Sequence, residues 1–156
     1  MPPEPGTTTG ERVHATAIAI GEAGVLLRGA SGSGKSSLAL ALIDLAGRPG
    51  RFARLVADDR VALVAASGRV LARPVAPLEG IVERRGLGLT PEPHIAAVVV
   101  RLVVDLLGEE PARMPEPEEL VDSLLGIDLP RLRIAGRVGD ERLVLAALDL
   151  FTAADS

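Results

Sequence analysis

With 156 residues the chain is long enough for one domain with a real core, and its lack of cysteine excludes disulfides, thiolate metal sites and thiol catalysis. A net charge of −4 and only two aromatic residues, Phe52 and Phe151, argue against nucleic acid as a partner, because there is neither a basic footprint nor a set of rings for stacking bases. No apolar run reaches the ~18 residues of a membrane span, and the Pro- and Thr-rich start has no apolar stretch to serve as a signal peptide. The expectation is a soluble, cytoplasmic domain over residues 13–150, built from Leu, Val, Ile and Ala, behind a flexible segment 1–12, with no membrane partner.

Residues 13–20 are β-branched and short, residues 21–24 make a turn, and residues 25–27 form a second strand, which predicts a hairpin. Residues 36–46 have the aliphatic content of a buried helix, stopped by Gly47, Pro49 and Gly50. Residues 54–57 read as a strand ending in Asp58-Asp59. Residues 61–65 and 70–72 flank Ser67-Gly68 as another hairpin. An irregular stretch, 74–80, leads to the charged segment Glu83-Arg84-Arg85-Gly86-Leu87-Gly88. The valine-rich run 95–107 predicts a long buried strand. Residues 114–117 form a loop, and 118–125 a short helix whose first turn is acidic, where the helix dipole favours such residues. Residues 129–134 and 143–148 close the chain, the latter as strand or helix. Hairpins with few helices predict an α/β domain with a mixed sheet rather than a regular βαβ array.

Between the second strand and the first helix lies Gly29-Ala30-Ser31-Gly32-Ser33-Gly34-Lys35-Ser36, which satisfies the P-loop pattern at every defined position. Its glycines let successive N–H groups point at phosphate oxygens, and the helix adds its positive N-terminal end. Lys35 is placed for the β- and γ-phosphates and the Ser36 hydroxyl for Mg²⁺. The apolar strand before the loop and the apolar helix after it supply the required setting, so the phosphate tail of a nucleoside triphosphate is the expected ligand. The motif names no reaction, since kinases, motors and switches share it.

Acid–base candidates follow from position. Asp58 and Asp59 end a strand beside the loop, and strand alternation lets one of them face the phosphates. Asp105 is a rival at the end of the valine-rich run. Glu83 precedes glycines that permit close approach to a ligand. From spacing alone Glu83 reads as a solvated turn residue and His14 as a structural histidine, while His94 has no assigned role.

Taken together, residues 14–20, the phosphate loop, Leu55-Val56-Ala57-Asp58-Asp59 and the ExRGLG element at Glu83–Gly88 resemble, in order and in spacing, the catalytic domain of HPr kinase/phosphorylase. The resemblance covers residues 14–148. It implies a phosphoenolpyruvate carboxykinase-like P-loop fold and an ATP- and Mg²⁺-dependent protein kinase acting on a serine of HPr, the phosphocarrier of the bacterial phosphotransferase system. It also implies removal of that phosphate by phosphorolysis, with inorganic phosphate consumed and pyrophosphate released, and a homo-oligomer, since full-length members form hexamers. Carried over, Asp58 is the base toward the serine, His14 sits beside it and supports proton traffic, Lys35 stabilises the transferring group, and Ser36 and Glu83 hold Mg²⁺. Three departures stand out. The separate N-terminal domain is expected to be missing. The family's glycine followed directly by a catalytic arginine is sought at Gly139, where Asp140-Glu141 intervene before Arg142. A C-terminal helix that contacts HPr in neighbouring subunits is expected to be absent, as in a compact, shortened version of the enzyme. Two other readings are a P-loop kinase for a small metabolite and a nucleotide-sensing module without catalysis; Asp58, Lys35 and Glu83 favour an enzyme.

Overall fold

A computed structural model describes residues 9–153. The expected flexible segment therefore lies largely outside the described residues, and where it overlaps them the chain is strand: β1 (Thr9–Ile20) already begins at Thr9. A turn through Gly21, at φ 62°, returns it antiparallel as β2 (Ala23–Gly29), with Ala17 opposite Leu26 and Ile18 opposite Val25. α1 (Lys35–Gly47) starts inside the phosphate loop. β3 (Ala53–Ala57) joins β1, and β4 (Arg60–Ala66) and β5 (Arg69–Pro74) form the second hairpin. β6 (Ile81–Arg84) and β7 (Gly88–Pro91) make a small separate hairpin. The chain continues through β8 (Val98–Leu106), β9 (Val121–Leu124), β10 (Ile127–Ile134) and α2 (Asp140–Ala153).

The main sheet runs β2-β1-β4-β5-β8-β10-β9, with β3 on β1. β2 also pairs with β8 in parallel, so five strands return on themselves. The sheet is mixed, as expected. Alternation sorts its residues by face: Ile18, Val25, Leu27, Leu102 and Val104 lie under the two helices, with Leu38, Leu42 and Leu148 packed on them. Ala15, Ala17, Leu26, Leu63, Val70 and Val103 form a second core on the other face. Both clusters are essentially sealed from water, and each fully buried leucine contributes about 2 kcal/mol.

One open choice is decided and one element differs from expectation. Residues 143–148, left between strand and helix, are helical as part of α2. Residues 118–125 are not a helix. A single 3₁₀ turn, Pro117–Leu120, capped by reciprocal Glu116–Glu119 bonds, gives way to β9. The pair Leu125-Gly126, at φ 51° and 80°, then makes the two-residue turn into β10. What draws Asp122 into a strand is charge pairing across four strands. Arg28 grips Asp105 with two bonds of 2.8 and 2.9 Å and Asp122 with one of 2.6 Å. Arg131 lies 3.9 Å from Asp105 and 3.8 Å from Asp122. Burial works against charge on Arg28, yet the hydrogen bonds and charges of Asp105 and Asp122 outweigh it and raise the Arg28 pKa.

For Asp122, burial pushes the carboxyl upward but Arg28 more than offsets it, leaving the value below the ordinary 3.8. A depressed folded-state pKa adds stability that is present above the unfolded value and is lost as pH falls through the folded one. Asp122→Asn is therefore expected to lower stability by about 1–2 kcal/mol at neutral pH. Its deficit should shrink as the pH falls below 3.8, read by denaturant melts of both proteins across that range.

Candidate functional site

β2 delivers the chain into the phosphate loop at one end of the sheet. Gly32 and Gly34 adopt φ of 80° and 101°, a region that side chains disfavour. Gly29 is fixed by crowding instead, since a Cβ there would meet Ser33 Oγ at 2.6 Å and Leu106 O at 3.0 Å. Lys35 is 9% exposed, and its ammonium donates to the carbonyls of Gly29 at 2.8 Å and Ala30 at 3.1 Å. The Ser33 hydroxyl is buried without a partner.

Asp58, also 9% exposed, is held by three donors. The hydroxyls of Thr16 and Ser36 donate to Oδ1 at 2.8 and 2.7 Å, and the Glu83 N–H donates to Oδ2 at 3.1 Å. These bonds tie β1, the start of α1 and the β6–β7 hairpin to one carboxylate and fix its orientation. The result is a cavity of about 330 Å³ bounded by Lys35, Ser36, Asp58 and Glu83, with Ser31, Gly32 and Gly34 also on its wall. Gly29, Ala30 and Ser33 act behind that wall, as carbonyl acceptors for Lys35 and as packing.

Strand geometry does not persist to the aspartates, because β3 ends at Ala57; a left-handed turn at Asp59, φ 67°, separates the two instead, although both reach the cavity rim. His14 does not join the group around Asp58. Its exposed ring lies 3.9 Å from the Asp59 carboxylate, because β1 pairs His14 with Arg60, beyond the strand-end turn. Asp105 is no rival acid, being taken by Arg28. His94 packs against Gly80 and accompanies Glu92 O at 3.2 Å, away from the phosphate loop.

Three cavity residues carry no role in the sequence reading: Thr16, Ser37 and Arg85. Thr16 was detectable as a polar residue inside the otherwise apolar run of residues 15–20. Arg85 sits in the hairpin tip that the glycines allow to overhang the loop.

Gly139 does not abut the phosphate loop, since a Cβ there would meet nothing within 4 Å. Gly136, at φ 97°, lies so close to the phosphate loop that a Cβ would sit 3.0 Å from Ser33 O. Its turn is fastened by Asp140, whose carboxylate accepts from the N–H groups of Gly136 at 2.9 Å and Arg137 at 2.7 Å. The glycine-arginine pair beside the loop is thus Gly136-Arg137, and Arg142 is part of α2. The Arg137 guanidinium currently pairs with Glu110 at 2.8 Å. This intact Gly-Arg stands three residues before Gly139 in the sequence.

Among the described residues no helix is long and apolar enough to cross a membrane.

Comparison with known proteins agrees with this geometry. The family model described as HPr Serine kinase C-terminal domain matches residues 7–95. The chain is 32% identical to the HPr kinase/phosphorylase of Enterococcus faecalis over 139 residues, covering 81% of this chain and 42% of that protein. It is 30% identical to the HPr kinase/phosphorylase of Neisseria meningitidis serogroup C over 145 residues, covering 85% and 43%. The chain thus spans less than half the length of these relatives. The HPr(Ser) kinase/phosphatase from Coxiella burnetii has the same fold, with a TM-score of 0.70 at 24% identity over 92% of this chain and 90% of that one. The fold is the α/β P-loop domain of phosphoenolpyruvate carboxykinase type, and the chain belongs to the HPr serine kinase C-terminal domain family.

Proposed function

We propose that the chain transfers the terminal phosphoryl group of ATP to a serine of HPr and, with inorganic phosphate, removes it again as pyrophosphate. The observation that carries this reading is the Asp58 carboxylate, oriented by Thr16, Ser36 and the Glu83 N–H within the same cavity as Lys35. A module that only sensed nucleotide would need the loop but no buried, oriented carboxylate facing it.

In the forward direction Asp58 accepts the serine proton as the serine oxygen forms its bond to phosphorus and the bond to the ADP oxygen breaks. Lys35 leaves the Gly29 and Ala30 carbonyls for the β- and γ-phosphate oxygens, where it offsets developing charge. In reverse, Asp58 returns the proton to the serine oxygen as inorganic phosphate takes the phosphoryl group. His14 and Asp59 form the outer, exposed end of the proton path.

Ser36 and Glu83 are the residues that would hold Mg²⁺. The donor set fits: hydroxyl and carboxylate oxygens are hard ligands, and the described residues contain no cluster of three His, Asp or Glu to bind a metal alone, as suits an ion shared with phosphates. When bound, the ion neutralises phosphate charge. Arg137 takes the role of the family arginine by exchanging Glu110 for phosphate oxygens. The cytoplasm is the proposed compartment and a homo-oligomer the proposed assembly.

The test is the intact mass of HPr after incubation with the chain, ATP and Mg²⁺. A gain of one phosphate on serine, reversed by inorganic phosphate, is expected. Arg137→Ala should slow transfer by about a thousandfold and Arg142→Ala by no more than about twofold. Tight ATP binding with no mass gain would replace the kinase by a nucleotide-sensing module, and transfer to a small metabolite alone would replace HPr as acceptor.

A further inference from the structure

On the far side of the phosphate loop from Asp58 lies a second cavity, of about 360 Å³, that shares no residue with the first. Leu107, Pro111, Pro115, Leu132 and Leu143 give it a mostly aliphatic lining, to which Glu110, Arg113, Glu119 and Arg133 add charged groups. Leu107 and Leu143 are 42% and 51% exposed, so the surface is open and apolar. The volume is that of a small-molecule site rather than a packing defect.

Two chains of contact join this groove to the phosphate loop. Gly29 abuts Leu106, the residue before Leu107. Ser33 and Gly34 abut Gly136, whose neighbour Arg137 pairs with Glu110. The sheet sets the spacing. β2 has β1 and then β3 on one flank, and β8 and then β10 on the other. Two interstrand steps put β10, which carries Leu132, about 10 Å from the strand that feeds the phosphate loop.

Phosphoryl transfer runs with the attacking and leaving oxygens roughly in line on opposite sides of phosphorus. Asp58 follows β3, so the acceptor hydroxyl must come from the β3 flank. The leaving nucleotide then extends toward the β8–β10 flank, where the groove lies. We propose that this groove, lined by Leu107, Leu132 and Leu143, receives the nucleobase of the donor nucleotide. This rests on the phosphate-loop reading above and adds where the rest of the donor goes. With no aromatic ring on its walls, the groove holds the base between aliphatic faces and excludes water from it.

The experiment compares ATP with inorganic tripolyphosphate, which carries the phosphate chain but no nucleoside, by calorimetry on the full chain. ATP should bind at least about tenfold more tightly, the scale of apolar contacts in a pocket. Leu143→Arg, at a half-exposed position of α2, should erase that advantage while leaving tripolyphosphate within about twofold. Light-driven crosslinking of 8-azido-ATP should label peptides from residues 107–115 or 132–143. Equal binding of ATP and tripolyphosphate, an advantage that survives Leu143→Arg, or label confined elsewhere would overturn the groove and leave the phosphate loop standing. Loss of HPr phosphorylation in Leu143→Arg with ATP affinity unchanged would make the groove a protein contact instead. Failure of the wild-type chain to bind either ligand would remove both readings.

Discussion

Asp58→Asn is expected to abolish phosphoryl transfer, by at least about a thousandfold, while nucleotide affinity stays within about twofold. The substitution keeps the shape of the side chain. Its amide oxygen still accepts from Thr16 and Ser36, the two donors that reach Oδ1 at 2.8 and 2.7 Å. What it loses is the ability to take a proton, together with the acceptor for the Glu83 N–H at 3.1 Å. The second loss costs about 1–2 kcal/mol of stability, too little to unfold the domain, so a thermal melt separates misfolding from lost chemistry. Single-turnover mass spectrometry of HPr reads the transfer and a titration with ATP reads the binding. Transfer that persisted would shift the base to Asp59, whose carboxylate is exposed and lies beside His14.

Lys35→Ala has the broader effect, since both binding and turnover fail. The ammonium is nearly buried and already satisfied by the Gly29 and Ala30 carbonyls, so it is poised at the loop with no acidic partner among the described residues. Exchange of those carbonyls for phosphate oxygens is a charge-assisted gain made against two negative groups at once. Its removal should weaken ATP by about a hundredfold and stop detectable transfer. Lys35→Arg should not rescue, because a planar guanidinium differs in shape from the compact ammonium that fits between two adjacent carbonyls. An enzyme that bound and turned over ATP normally without Lys35 would end the phosphate-loop reading.

The parts of this protein legible in the sequence are those that local chemistry specifies. The loop at residues 29–36 needs glycine where φ is positive or a Cβ would collide, and lysine and serine at the start of a helix, so its identity is written in eight consecutive residues. The Ser67-Gly68 hairpin was visible for the same reason. The Leu125-Gly126 hairpin was not, although its geometry is alike, because leucine at φ 51° is a conformation its side chain disfavours and only the surrounding strands impose. The acidic stretch before it looked like a helix start until Arg28, ninety-four positions away, claimed Asp122.

The site divides along the same line. Sequence alone determined the phosphate loop, the helix behind it and the strand ending in two aspartates, since each is a short-range pattern of turn, period and charge. Tertiary structure decided which aspartate faces inward, that Thr16 and Arg85 join it, that His14 pairs with Asp59, and that Gly136 rather than Gly139 lies against the loop. Those outcomes depend on strand register and on the close approach of backbones far apart in the chain. A one-residue slip would exchange the faces of a strand, and no stretch of sequence contains that register by itself.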